Sequence, residues 1–386
     1  MSFQPSRRHL LMGAVSLAAA QAVSGVALAA PRRGAPATPL RWLDGHKPAR
    51  LEGATFGVPW PRGALRPNQA FSIRDGSGRA TPAQSWPIAY WPDGSLKWSA
   101  HAVTGDASLD GLTLAPGVSP APGKPVRVAD RGQQIVVTVG DLEWRVPKSG
   151  DALVSGATRG GRSVVGKLSL VALSQDKPEL EEGGAVKSSR YGVRIRQAVV
   201  EQSGPVRAVI KLDGVHTDGT REWLPVSVRL YFYAGSDSVR IVHSFIFDGD
   251  PKTDFIRGVG VVADTPMTDE SYNRHIRFAG EGEGVWGEAV RTLTGLRTRA
   301  NPAPAVRQAQ IEGRAVAFAD LPDILKNDGL QWVPEWGDFA FSQLSPDGFT
   351  LRKRTSEGHA GSIPMRAGAA GAWPMSAAPR AGSPWG

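Results

Sequence analysis

The chain has 386 residues, of which 41% are hydrophobic and 21% charged, and its formal net charge is +9. This apolar content is enough for buried cores and excludes an intrinsically disordered chain. The absence of cysteine excludes disulfides, thiolate metal sites and a cysteine nucleophile, while 46 glycines and 30 prolines with many short β-like runs favour an all-β fold rich in turns.

The N-terminus has the pattern of an export signal. A twin-arginine segment at residues 6–11 (SRRHLL) leads into an apolar run over 10–20, and Ala27-Leu28-Ala29 has the form of a cleavage site. We therefore expect residues 1–29 to be removed, residues 30–39 to be a flexible lead-in, and the protein to be periplasmic or secreted. No later segment is long enough to span a bilayer, so no membrane association is expected after cleavage.

A first β unit is predicted over residues 40–122, and its end overlaps a predicted linker over 117–124 (GVSPAPGK). Its runs are short, alternate in polarity and meet turn signals such as Asp75-Gly76 and Pro92-Asp93-Gly94-Ser95. The predicted strands are 56–60, 70–74, 88–91 and 96–103.

The strand 96–103 carries the first candidate binding residues. Alternation places Lys97, Ser99 and His101 on one face, which we expect to be free, with the opposite face in the core. A solvated barrel face explains this pattern, and so does a carbohydrate surface in which Trp91 stacks on sugar rings. Lys97 and His101 lie about 13 Å apart at ~3.3 Å per residue, so they cannot hold one atom together.

A large antiparallel β-sandwich is predicted over residues 123–360. Many long strands with hairpin turns and few helical periods support this interpretation. The only helix that the pattern predicts is Leu321–Lys326. The predicted strands are 134–139, 142–146, 186–202, 206–215, 223–233 and 239–247.

Around the last of these strands, Arg240 and His243 fall on opposite faces, and an aspartate-rich segment follows at 248–254 (DGDPKTD). Its spacing does not match a helix-loop-helix calcium loop and Pro251 lies inside it, so an Asx-rich turn is the better interpretation. The histidines form no zinc-binding pair motif. We therefore predict neither a metal nor a cofactor.

The C-terminal end has an unusual composition. Residues 349–355 still have the pattern of a strand, but residues 366–386 contain no Asp, Glu, Leu, Ile or Val. We expect residues 361–386 to be disordered and to come from a frameshifted or truncated reading frame.

The positive net charge suits an acidic partner, such as an acidic polysaccharide. The sequence has no block of five or more basic residues and no RNA-binding aromatic motif, so nucleic acid is not expected as a partner. An arginine-rich composition without a specific acidic ligand explains the charge equally well.

Five stretches together carry a resemblance: FGVPWPRGAL (56–65), YWPDGSLKW (90–98), EQSGPVRAVIKLDG (201–214), LPVSVRLYFYAGSDSVRIVHSFIFDGDPKTDFIRGVG (224–260) and LSPDGFTLRKRT (344–355). Over residues 40–360 the chain resembles the exo-rhamnogalacturonan lyase and YetA-like family. The resemblance implies an N-terminal RIFT-type small β-barrel over 40–122 and a central β-sandwich over 123–360. It also implies a C-terminal α/α toroid, which is missing here.

Polysaccharide-lyase activity by β-elimination on a rhamnogalacturonan-like polymer is what this resemblance implies. Such a reaction needs a cation to offset the uronate carboxylate, a base for the neighbouring proton and an acid for the leaving oxygen. Arg190 or Arg257 can clamp the carboxylate, and Tyr191 or His243 can act as acid or base; Lys97, His101, Trp91 and Arg240 are the candidate substrate-binding residues. The alternatives are a truncated, inactive enzyme, a non-catalytic carbohydrate-binding module and a structural remnant without a ligand. His243, set among Val, Ile and Phe, also fits a core role.

Overall fold

The computed structural model describes residues 37–43, 45, 52–107, 111–178, 186–279, 285–293, 302–345, 348–354 and 362–367. Within these ranges the chain is dominated by antiparallel β-strands, which confirms the predicted all-β class. The predicted export signal and most of the lead-in lie outside the described residues. No helix in the described ranges is both long and apolar enough to cross a membrane.

The N-terminal unit is a small barrel-like pair of sheets, with strand orders β1-β7-β3-β4 and β2-β6-β5. Its core contains Trp60, Phe71, Ile73, Leu96 and Leu114, all buried. The sheets are formed by β1 Thr38–Pro39, β2 Ala54–Pro59, β3 Phe71–Arg74, β4 Ala80–Thr81, β5 Ala83–Tyr90, β6 Leu96–Val103 and β7 Thr113–Pro116.

The prediction that the Lys97, Ser99 and His101 face of strand 96–103 is free is wrong. Ser99 and His101 are completely buried on β6, because this face packs against aromatic side chains of the barrel core. Trp60 Nε1 donates to Ser99 Oγ at 2.7 Å, and both ring nitrogens of His101 lie within 2.8 Å of serine hydroxyls, those of Ser85 and Ser99. His101 is therefore a satisfied core residue that a polysaccharide cannot reach.

The predicted β-sandwich is present, and two sheets share its main core. The five-stranded sheet has the order β12-β11-β10-β9-β8, and the six-stranded sheet has the order β17-β16-β15-β14-β13-β18. Ile135, Val137, Ile210, Val228 and Phe232 are among the buried side chains between them. The strands are β8 Val126–Asp130, β9 Gln134–Val139, β10 Leu142–Pro147, β11 Gly156–Arg159, β12 Arg162–Val165, β13 Leu168–Gln175, β14 Ser188–Gln202, β15 Arg207–Thr217, β16 Glu222–Tyr233, β17 Val239–Phe245 and β18 Phe255–Ala263.

The barrel packs directly on the sandwich. Gln84 Oε1 on β5 accepts hydrogen bonds from the backbone N–H groups of Val206 and Arg207, at 3.2 and 2.9 Å. Gly204 allows this close approach, since a Cβ there would lie 2.3 Å from the Gln84 side-chain amide and would displace it. Tyr233 is buried beside Ala102 and Val206, and its hydroxyl lies 2.9 Å from Thr55 Oγ1.

A third region follows β18 and has its own small core around Tyr272, Leu293 and Val306. The helix predicted at Leu321–Lys326 is present as Asp323–Lys326, but it is not the only one. A further helix begins at Pro304, and proline is common at the first helical position. The elements are β19 His275–Ala279, β20 Val285–Ala289, α1 Pro304–Ile311, α2 Asp323–Lys326, β21 Asp338–Ser345, β22 Gly348–Arg354 and β23 Ser362–Ala367, with 3-10 turns at Ser271–Asn273, Phe318–Asp320 and Gly329–Trp332.

The predicted disordered tail begins too early. Residues 362–367 form β23, an edge strand that pairs with β22 through Leu351↔Met365 and Thr350↔Arg366. Four of its six residues are apolar (SIPMRA), and Pro364 is tolerated on an edge strand. Residues 368–386 lie outside the described part of the chain.

Burial of His101 predicts a loss of stability in mild acid. Burial lowers the pKa of His101 from 6.5 to about 4, so the unfolded chain takes up a proton between these values while the folded chain does not. Stability is therefore present above about pH 6.5 and is lost as the pH falls toward 4, by about 2–3 kcal/mol from this group. Urea unfolding at pH 7.0 and 4.5 measures the loss, and His101→Gln should shrink it. An unchanged pH dependence in that variant would contradict the assignment.

Candidate functional site

Four aromatic or imidazole side chains meet at one end of the core-facing side of the six-stranded sheet. We call Tyr191, His216, Trp223 and His243 the ring cluster. They come from β14, β15, β16 and β17, which are adjacent strands, and the register sets His216 beside Trp223. The ring centroids of Tyr191 and Trp223 are 5.2 Å apart, and those of His216 and His243 are 5.7 Å apart.

The backbone beside the ring cluster is irregular. The register between β15 and β16 shifts at Val215/His216, and Leu224 has φ of 50°, which is an outlier for a bulky side chain. Two hydrogen bonds hold this conformation. His216 Nδ1 donates to the Leu224 carbonyl at 3.0 Å, and the Leu224 N–H donates to Asp248 Oδ1 at 2.9 Å. Strain held in this way is concentrated at functional sites in many proteins.

Three buried ring nitrogens of the cluster have no hydrogen-bond partner among the described residues: Nε2 of His216, Nε2 of His243 and Nε1 of Trp223. Burial lowers the pKa of both histidines, and His216 lowers that of His243 further. Both imidazoles are therefore neutral at pH 7. Buried polar atoms without partners are rare, and this concentration marks the ring cluster as a site with unused hydrogen-bonding capacity.

The aspartate-rich loop closes this end of the sheet, and the predicted Asx-rich turn is confirmed. Asp250 Oδ1 accepts the Lys252 N–H at 2.9 Å, and Asp254 makes two 2.7 Å hydrogen bonds with Arg221. Arg221 lowers the pKa of Asp254, and Asp254 in turn raises the pKa of Arg221. Arg221 also interacts with Tyr191 and lies 5.6 Å from the Trp223 ring. Among the described residues no cluster of three His, Asp or Glu side chains is arranged to hold a metal ion.

The opposite side of the six-stranded sheet is rich in cations, and we call it the cationic face. Its central cations are ion-paired: Arg229 with Glu201 at 2.7 Å, and Lys211 with Asp213 at 2.9 Å. Arg190 and Arg240 form no ion pair with any described residue. The other members of the face are Arg194 and Arg196, both paired with Glu222.

A ladder of alternating aromatic and cationic groups links the cationic face to the barrel. The Arg207 guanidinium lies 4.4 Å from the ring centroid of Trp86 on β5 and 5.4 Å from that of Tyr231. The Arg240 guanidinium lies 5.9 Å from the same Tyr231 ring. Arg207 also donates to Gln202 Oε1 at 2.7 Å. Stacking on an aromatic ring leaves the planar donors of a guanidinium available for a carboxylate.

The structure distributes the sequence-predicted residues over several places. Tyr191 and His243 come together in the ring cluster, while Arg190 lies on the cationic face, since consecutive strand residues point to opposite sides. Arg240 also lies on the cationic face, and Arg257 lies on β18 at the edge of the sheet.

The barrel candidates remain outside this sheet. Lys97 Nζ lies 4.6 Å from the Trp91 ring, and Trp91 Nε1 donates to the Trp60 carbonyl, so these two residues form a local cation–aromatic pair on the β5–β6 hairpin. His101 is buried in the barrel core.

Sequence reasoning missed His216, Arg221, Trp223 and Leu224. His216 lies on a strand that otherwise has an apolar pattern, and Arg221 and Trp223 flank the start of the next strand. The sequence does contain one signal for this irregularity, because polar and apolar residues stop alternating at residues 222–225 (EWLP). The structure has its left-handed residue, Leu224, at this break.

Asp248 is predicted to support the strained backbone of Leu224. Replacing Asp248 with alanine leaves the buried Leu224 N–H without an acceptor, which costs about 1–3 kcal/mol of unfolding free energy. Asp250→Ala is the matched control, because its carboxylate caps an exposed turn only, and it should cost less than about 1 kcal/mol. Equal losses in urea unfolding would show that Leu224 does not depend on this contact.

Comparison with known proteins agrees with this architecture. The family profile of the PcRGLX-like N-terminal RIFT barrel domain matches residues 36–117, and that of the PcRGLX-like protein central beta sandwich domain matches residues 126–373. The uncharacterized protein YetA of Bacillus subtilis (strain 168) is 32% identical over 330 residues, which are 83% of this chain and 37% of YetA. The chain thus spans well under half the length of this relative.

Proposed function

This chain belongs to the PcRGLX-like and YetA-like rhamnogalacturonan lyase family, and we propose that it is an exported polysaccharide-lyase-like protein acting by β-elimination on a uronate-containing polysaccharide. The proposal includes export through the predicted twin-arginine signal. Because the matched region is only 37% of YetA, the proposal allows for a contribution to the reaction from further parts of the family's proteins.

The observation that carries the proposal is the cationic face. Arg190 and Arg240, which form no ion pair with a described residue, lie at opposite ends of this face. The strand register aligns Arg240 with Gln202 on β14, which is twelve residues along that strand from Arg190. At ~3.3 Å per residue the two are about 40 Å apart. Such spacing suits an extended polymer that carries repeated carboxylates, because a single sugar cannot reach both cations.

The elimination chemistry requires three roles. A base removes the proton next to the uronate carboxylate, the electron pair forms the new carbon–carbon double bond, and an acid protonates the departing glycosidic oxygen. Tyr191 is the proposed acid or base, because Arg221 beside it offsets negative charge on the phenol and on the substrate. His243 is the second candidate, being neutral and able to accept a proton.

A non-catalytic carbohydrate-binding module is the second candidate function. Tyr191 is buried and His243 is half-buried, whereas Arg190 and Arg240 are exposed, so the cationic face is more accessible than the acid–base candidates. Binding needs that exposed face alone. The two functions differ in whether the ultraviolet-absorbing unsaturated product forms.

Removing both unpaired cations is predicted to weaken binding to rhamnogalacturonan. Each charge-assisted hydrogen bond to a carboxylate contributes about 1.5 kcal/mol, so the Arg190→Ala/Arg240→Ala variant should bind at least tenfold more weakly. Arg131→Ala, in the exposed β8–β9 turn on the other sheet, is the matched control and should bind like the wild type. Binding of a neutral arabinan serves as the baseline in the same titration.

The outcomes separate the candidates. Elimination by the wild type that disappears in Tyr191→Phe, with binding retained, supports the lyase. Binding without elimination, also after the chain is extended by the remaining region of a family member, supports the binding module. Equal affinity of the double variant and the control would refute the role of the cationic face.

A further inference from the structure

Strand β18 forms one edge of the six-stranded sheet. It pairs with β13 from Leu168↔Ala263 to Gln175↔Phe255, and no strand of the described chain pairs with its other side. Soluble proteins protect such edges with prolines, charges or bulges. The part of β18 from Gly258 to Ala263 (GVGVVA) has no proline and no charge, and its one register shift lies before it, at Leu173/Ser174.

Both faces of this edge expose valine. Val259 and Val261 pair with the buried Ala172 and Leu170, so they point to the side of the sandwich core, yet they are 43% and 45% exposed. Val262, on the other side, is 37% exposed. The uncovered side chains and the unpaired backbone thus coincide on one strand.

We propose that β18 is a self-association edge that pairs in antiparallel fashion with β18 of a second copy, with the two-fold axis at Gly260. In this register Val259 of each copy lies opposite Val261 of the other. Four valines therefore cover one another on one face. On the other face each Val262 lies opposite Gly258, which has no side chain to oppose it. The strand is complementary to itself about this residue.

The charges at the two ends of β18 favour the same arrangement. Arg257 lies near its beginning and Asp264 directly follows its end, and neither forms an ion pair with a described residue. Antiparallel pairing about Gly260 brings Arg257 of each copy beside Asp264 of the other, about 6 Å apart between Cα atoms from ordinary strand spacing. A parallel pair would instead set like charges together.

A cysteine cross-link tests the register directly, because the chain has no cysteine of its own. Antiparallel partners on the axis have Cα atoms about 4.5–5.5 Å apart, which a disulfide can bridge. Gly260→Cys should therefore form a covalent dimer on mild oxidation. Gly258→Cys is the matched control: its two copies would be offset by four residues, about 13 Å, and should not cross-link. A Cβ meets only an ordinary 3.8 Å contact at either position, so both variants can fold.

Light scattering gives an independent measurement on the purified chain. The wild type should be dimeric at tens of micromolar. Val261→Lys should be monomeric, with the melting midpoint that the wild type has at dilutions where it too is monomeric. Val118→Lys, at an exposed position in the linker, is the control and should stay dimeric. A monomeric wild type overturns the proposal, as does a Gly258→Cys dimer without a Gly260→Cys dimer. Protection of β18 amides from hydrogen exchange in a monomer would also overturn it, since another segment would then cover the edge.

Discussion

Burial of only one side of the six-stranded sheet governs the rest of this molecule. The five-stranded sheet covers the side that carries Ile210, Val228 and Phe232, and their removal from water provides the main core. The other side stays in contact with solvent and with the barrel, so it carries arginine, lysine and their carboxylate partners. Most residues in the central strands of this sheet are therefore buried or accessible according to their position in the alternation.

This division explains why the candidate residues do not form a single cleft. Tyr191 and His243 fall on the covered side and join His216 and Trp223, whereas Arg190 and Arg240 fall on the open side. The barrel is fixed to the open side at one end of the sheet, where Gln84 and Thr55 contact the sandwich and Arg207 lies between Trp86 and Tyr231. The barrel thus borders the cationic face near Tyr231, the ring that lies between Arg207 and Arg240.

Much of the fold was predictable because alternation and turn signals are local. Strands such as Leu96–Val103 and Val239–Phe245 were recognised from these signals, as was the Asx-rich turn after Asp248. The same logic failed for His101, since alternation gives two faces but does not say whether a polar face will be covered. It also missed α1, which has helix-forming residues and a proline start but little apolar periodicity.

The sequence by itself determined the all-β class, the order of barrel and sandwich, the family and the residue types available for carboxylate binding, because these follow from local patterns and from resemblance along the chain. The tertiary structure alone decided which residues meet. His216 and His243 are separated by a full hairpin strand, and Trp86 and Arg207 belong to different domains, yet each pair is in contact. The physical reason is that sheet order, register shifts and the packing of one sheet on another are set by the burial of the whole core, which no short segment encodes.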